Sequence, residues 1–152
     1  MPAVLADSGP LYALFDSDDP YHPICRNWLA DWHGDLVTTS AVITETTHLL
    51  GRRIGTDAQL DLLEWIGLAV EVDDATGDDL EAISAIIRKY HDLPADFADA
   101  TLVALANRRG IYDVISVDSD FTVYATAARR DFRNLLADKL PNRKRKRKRP
   151  PQ

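Results

Sequence analysis

Apolar positions along the chain fall into short blocks of two kinds. AVLAD (3–7) and LVTTS (36–40) are brief oily runs broken by small polar residues, the pattern of buried strands. LAVEVD (68–73) alternates, and DVISVD (113–118) closes on an acid, which predicts a third and a fourth strand. FRNLL (132–136) is a candidate fifth.

Between these runs the period changes. Ile24, Trp28, Leu29 and Trp32 recur at helical spacing in PYHPICRNWLADW, a helix predicted to start at Asp19-Pro20, and its Trp residues read as core. PLYALF predicts a short helix after the first strand. AVITETTHLLGRRI follows Ser40 as its cap, and DAQLDLLEWIG follows Thr56 or Asp57. Thr76 opens TGDDLEAISAIIRKY, with Leu80, Ile83, Ile86 and Ile87 on one face. A further helix is predicted over 94–109, stopped by Gly110, and a short one near 120–129. Strands and helices alternate without tandem hairpins, so the predicted fold class is α/β, a parallel sheet with helices on both faces in an α/β/α sandwich.

Length and composition narrow the setting. At 152 residues and 45% hydrophobic, the chain suits one domain, predicted over 1–140. No long apolar run predicts a membrane span and the start of the chain has no signal-peptide pattern, so the expected location is cytoplasmic. Cys25 has no partner cysteine and reads as a small buried hydrophobe. The four histidines, His22, His33, His48 and His91, are scattered and do not indicate zinc. The net charge of −6 conceals an imbalance, because residues 143–149, RKRKRKR, hold seven of the 18 basic residues. The remainder has eleven Lys and Arg against 24 Asp and Glu, a net −13. The segment 141–152 is predicted to be a disordered basic tail.

The acids carry the chemistry. In DLPADFADATLVALA, Asp99 falls in the second turn of the predicted helix among Phe97, Ala98, Ala100, Leu102 and Val103, where a buried carboxylate is costly. In a parallel α/β sheet ligands gather outside the carboxyl ends of the strands. Asp7 ends the first predicted strand, Asp118 ends the fourth, and Glu45 lies early in the helix leaving the second. A helix preceding a parallel strand runs antiparallel to it, which brings the start of the Asp99 helix to the same edge. Each pair of these carboxylates at roughly 6 Å would repel by about 3 kcal/mol at an effective dielectric of about 20. A cation is therefore expected, and hard oxygen donors without His or Cys favour Mg²⁺ or Mn²⁺. Asp7, Glu45, Asp99 and Asp118 are together the expected donors. Such a site activates water for in-line displacement at phosphorus.

Each acid also has a plainer reading. Asp7 and Asp118 suit turns after strands, and Glu45 suits a solvated helix face. Asp96 suits a first-turn acid that complements the helix dipole, and Asp120 suits a cap for the helix that follows. Asp96, Asp120, Ser8 and Ser116 are candidate additions to the site. Convergence of the four main acids by chance is much less expected than any one of these readings.

Asp7 in VLADSGPLYALF, Glu45 in TTSAVITETTHLL, Asp99 in DLPADFADATLVALA and Asp118 in VISVDSDF, in this order, resemble the PIN domain family, particularly its VapC-type ribonuclease toxins. The resemblance covers residues 3 to about 137. It implies a metal-dependent endoribonuclease, catalytic through Asp7, Glu45, Asp99 and Asp118, that forms a homodimer and is silenced by a cognate VapB-like antitoxin. The family often has Thr where Ser116 stands, and the hydroxyl is retained. Arg143, Lys144, Arg145, Lys146, Arg147, Lys148 and Arg149 are candidate contacts for RNA phosphates. Two other readings compete. A receiver or haloacid-dehalogenase-like phosphate-transfer protein also places Asp at strand ends, but Asp7-Ser8-Gly9 offers no second Asp and a late-strand Lys is missing. A non-catalytic PIN relative that binds RNA or protein would not need all four acids.

Overall fold

A computed structural model describes residues 2–92, 96–118, 121, 124 and 131–141. Its elements alternate as the hydrophobic pattern predicts: β1 Ala3–Ala6, α1 Ser8–Phe15, α2 His22–Asp31, β2 Asp35–Thr39, α3 Ser40–Arg53, α4 Thr56–Ala69, β3 Val70–Asp73, α5 Leu80–Lys89, α6 Phe97–Arg109, β4 Asp113–Ile115 and β5 Arg133–Asn134. The five strands form one sheet in the order β3-β2-β1-β4-β5, and every described pairing is parallel.

This order fixes the layers. The chain winds outward from β1 through β2 to β3, then returns past β1 to add β4 and β5. With right-handed crossovers, α1 to α4 cover one face while α5 and α6 cover the other. The reversal falls between β1 and β4, whose register sets Leu5 against Val114 and Ala6 against Ile115. A crevice opens at such a switch point, outside the carboxyl ends of the strands.

The sheet and its nearest helix form the densest part of the core. Val4, Leu5, Ala6, Val37 and Val114 are fully buried, as are Ala100, Leu102, Val103, Leu105 and Ala106 on α6. A helix apolar on nearly every side belongs inside, and α6 is buried from Ala100 through Ala106. Gly110 then ends it in the left-handed region at φ 66°, with its N–H on Ala106 O. Trp28 is buried and stacks on Trp32 at 5.0 Å, consistent with a core role for both. Cys25 is buried as expected, and burial pushes its thiol up to about 12.

Several boundaries differ from the sequence reading for local reasons. The Asp19 side chain accepts from Tyr21 N, making a turn that delays α2 to His22. Thr39, not Ser40, caps α3 by accepting from Val42 N, while the Ser40 hydroxyl bonds Asp74. Neither Thr56 nor Asp57 caps α4; Gly55 does so at φ 134° without a side-chain bond. Helix α4 also runs through Ala69, so β3 begins only at Val70. Thr76 lies in a 3-10 turn, Ala75–Gly77, and α5 starts at Leu80. Of the four apolar residues on its predicted face Ile83 and Ile86 are buried, whereas Leu80 and Ile87 face solvent at 52% and 36% exposure. Strand β4 stops at Ile115 because Ser116 and Asp118 turn toward each other through the Ser116 hydroxyl. The helix predicted near 120–129 and nearly all of the tail lie outside the described residues. Among those described, no helix is long and apolar enough to cross a membrane.

Candidate active site

At the switch point an open cleft of about 290 Å³ is lined by Asp7, Glu45, Asp96, Asp99 and Asp118, with Ser8, Gly9 and Val117. The four acids singled out in the sequence therefore face one space, contributed by the end of β1, by α3, by the start of α6 and by the segment after β4. Asp96 and Ser8 join them. Ser116 lies just beneath, and Asp120 falls outside the described residues.

Asp7 is the anchored member, only 5% exposed. Its N–H continues the ladder onto Ile115 O at 3.1 Å. One carboxylate oxygen caps α1 by accepting from Ser8 N at 2.8 Å, and the other accepts from the fully buried Ser116 hydroxyl at 2.9 Å. The turn-forming reading of Asp7 holds, and the same carboxylate also lines the cleft. Burial pushes the Asp7 carboxyl up to about 6, against the pull of these two bonds, and the nearby Glu45 and Asp118 charges push the same way. Burial also raises Glu45, Asp96 adds to that, and a Ser8 hydroxyl bond opposes it.

Supports reach this wall from neighbouring segments. The Ser116 hydroxyl accepts from Asp118 N at 3.1 Å, so one side chain fixes both Asp7 and the backbone of Asp118. Asn134 on β5 clamps the backbone of Ser116, donating to its carbonyl at 2.9 Å and accepting from its N–H at 3.2 Å. A Cβ at Gly9 would meet Val117 Cγ2 at 2.3 Å, so the bare backbone lets the first turn of α1 lie against the segment carrying Asp118.

Asp99 is placed differently from the sequence reading. Helix α6 begins at Phe97, because the Asp96 side chain accepts from Asp99 N at 2.8 Å and caps it there. Asp99 is therefore in the first turn, half-buried, where the positive end of the helix dipole favours a carboxylate. Its Oδ2 accepts from the Tyr124 hydroxyl at 3.1 Å. Beneath it, buried Thr101 and Thr39 share a 2.8 Å hydrogen bond that ties α6 to the end of β2, where α3 and Glu45 begin. Sequence reasoning missed Tyr124, Thr101, Thr39 and Asn134 because none has a diagnostic spacing from the acids.

Hard oxygen donors make up the charged lining, and their chemistry suits a divalent cation that keeps several waters. Among the described residues, no three acidic, His or Cys side chains stand close enough together to hold an ion as they are. The cleft brings the carboxylates together without closing them about a point, so the donor set fits an ion bound partly through water.

The chain is similar to known proteins. The chain is 30% identical over 116 residues to the ribonuclease VapC26 of Mycobacterium tuberculosis, covering 76% of this chain and 86% of that protein. The crystal structure of VapC20 from the same species, described as a sarcin–ricin-loop-cleaving toxin, matches with a TM-score of 0.74 at 25% identity. That match covers 79% of this chain and 93% of VapC20. The PIN domain family matches residues 4–132, the span that carries all but the first residue of β1, the switch point and every described acid of the cleft. By that match and by its VapC-type relatives, the chain belongs to the PIN domain family.

Proposed function

We propose that the protein is an endoribonuclease dependent on Mg²⁺ or Mn²⁺ and the toxin of a toxin–antitoxin pair. The observation that carries this reading is the convergence of carboxylates from four distant segments on one cleft at the β1/β4 switch point. Kinship with a ribonuclease and with an RNA-cleaving toxin supports it.

In this reading Asp7, Asp99 and Asp118 hold the cation, and Glu45 acts directly or through water. When bound, the ion supplies Lewis-acid activation of water and offsets the charge that grows on a phosphodiester during displacement. The chain's own residues prepare the site. Ser116 and Ser8 N fix the Asp7 carboxylate so that its oxygens need no reorientation on binding. Glu45 lines the same cleft, and its carboxylate is suited by chemistry to take a proton from an attacking water there. The site thus answers the cost of Asp99 in two ways: a helix start favours the charge, and a cation neutralises it.

RNA is the proposed substrate, and the sarcin–ricin loop named for VapC20 is the first to try. A VapB-like antitoxin, homodimer formation and a cytoplasmic location belong to the same reading. Purified protein should cleave RNA with Mn²⁺ and stop on chelation. Cleavage undiminished by EDTA would refute metal dependence, and failure to cleave any cellular RNA would favour a non-catalytic PIN relative.

The segment 143–149 is proposed to hold RNA phosphates near an otherwise acidic enzyme. Each phosphate neutralised on a single strand adds about −0.7 to the slope of log affinity against log salt, so four or five contacts add roughly −3. Truncation after Leu140 should flatten that slope and leave the rate on saturating RNA nearly intact. An unchanged slope would remove the tail from substrate capture.

A further inference from the structure

The buried phenol at the edge of the cleft belongs to no acid motif. Tyr124 is 1% exposed, and its hydroxyl donates to Asp99 Oδ2 at 3.1 Å. Its ring is held edge-on by Tyr90, which caps the end of α5, at 5.0 Å, and by Phe121 at 5.3 Å. Phe121 in turn packs at 5.4 Å on Phe132, the buried residue before β5. Three separate parts of the chain therefore fix the direction of one hydroxyl. The carboxylate it meets lines the open cleft from the first turn of α6.

We propose that Tyr124 is a positioning residue that orients the Asp99 carboxylate and so sets how tightly the cleft holds a divalent cation. This rests on the metal reading above. A hydrogen bond to one oxygen restricts the carboxylate plane, and partners of this kind orient ligands and tune affinity for the ion. The plainer alternative is that a buried hydroxyl simply needs an acceptor and found Asp99. The two differ in what the removal of one oxygen atom does to metal binding.

The test is calorimetric titration of the full, metal-stripped chain with Mn²⁺, comparing wild type, Tyr124→Phe and Tyr90→Phe. Tyr124→Phe keeps the ring and should melt within about 2 °C of wild type without metal, yet bind Mn²⁺ about tenfold more weakly. Its kcat at limiting Mn²⁺ should fall, its KM for RNA should hold, and excess Mn²⁺ should restore the rate. Tyr90→Phe removes a hydroxyl from the same aromatic cluster and should bind Mn²⁺ as wild type does. Equal affinity of Tyr124→Phe and wild type, or equal loss in both variants, overturns the proposal alone. A wild-type protein that binds no Mn²⁺ overturns the metal reading and this proposal with it.

Discussion

Helix α6 meets acids at both of its ends, and the two ends treat them in opposite ways. Around its first turn, Asp7, Glu45, Asp96, Asp99 and Asp118 face a shared cleft, and the charges acting on Asp7 are other carboxylates. Around its last turn, Arg108 forks between Asp73 at 2.6 Å and Asp79 at 3.1 Å, while Arg109 pairs with Glu71 at 3.0 Å. The Arg108 hydrogen bonds hold the Asp73 carboxyl below its ordinary range, whereas burial holds Asp7 above it. The same residue type is thus tied by arginine at one end and grouped with like charges at the other.

The largest expected difference between the ends is in activity. Asp7→Asn keeps the shape of the α1 cap and removes the charge. It should lower metal-dependent cleavage by at least about a hundredfold, since loss of supporting partners alone costs about 10- to 100-fold. The metal-free variant should melt at or above the wild-type temperature, because a buried charge among like charges has gone. Cleavage at the wild-type rate would remove Asp7 from the site.

A smaller and opposite effect is expected at the other end. Arg108→Met leaves Asp73 and Asp79, whose side chains are 10% and 11% exposed, without their bidentate partner. Breaking a buried pair costs about 3–5 kcal/mol, and the partial exposure of Arg108 reduces this to about 1–3. Urea denaturation should show that loss, while cleavage at 25 °C stays within about threefold of wild type. A variant as stable as wild type would show that the fork is a surface pair of little consequence.

The mildest probe is pH, and the two ends should respond with opposite sign. Asp7 folds with its carboxyl near 6 against an ordinary 3.8, so the native state binds more protons between those values. Its contribution to metal-free stability is therefore present below about pH 4 and lost as pH rises through 6. Asp73 is lowered, so its contribution is present above its ordinary value and lost as pH falls through its depressed one. Melting curves in EDTA should show Asp7→Asn flattening the decline between pH 4 and 6, and Arg108→Met flattening the acid limb. Superimposable profiles for wild type and Asp7→Asn would mean that Asp7 is not strained by burial.

Residue patterns account for much of this protein and stop at identifiable places. Helices and strands were legible because burial imposes periods of 3.6 and 2 on contiguous residues, and the edge shared by Asp7, Glu45, Asp99 and Asp118 followed from strand direction alone. Local competitions between caps were less legible: Thr39 prevails over Ser40 because its hydroxyl also meets Thr101, 62 residues away. Leu80 and Ile87 fit an apolar helical face, yet α5 packs through Ile83 and Ile86 only, since the width of a buried stripe depends on the neighbouring helix.

The sequence by itself determined the alternation of elements, the parallel α/β class and the acids that end strands or open helices, because each rests on neighbours within a turn or a strand. Only the tertiary structure decided the strand order 3-2-1-4-5 and the cap that moves Asp99 into the first turn. The same holds for the Tyr124 hydroxyl on Asp99 and the arginine fork that neutralises the opposite end of α6. These last contacts join residues 25 to 35 positions apart, and their free energy depends on distance and burial in the folded chain, quantities that no local pattern encodes.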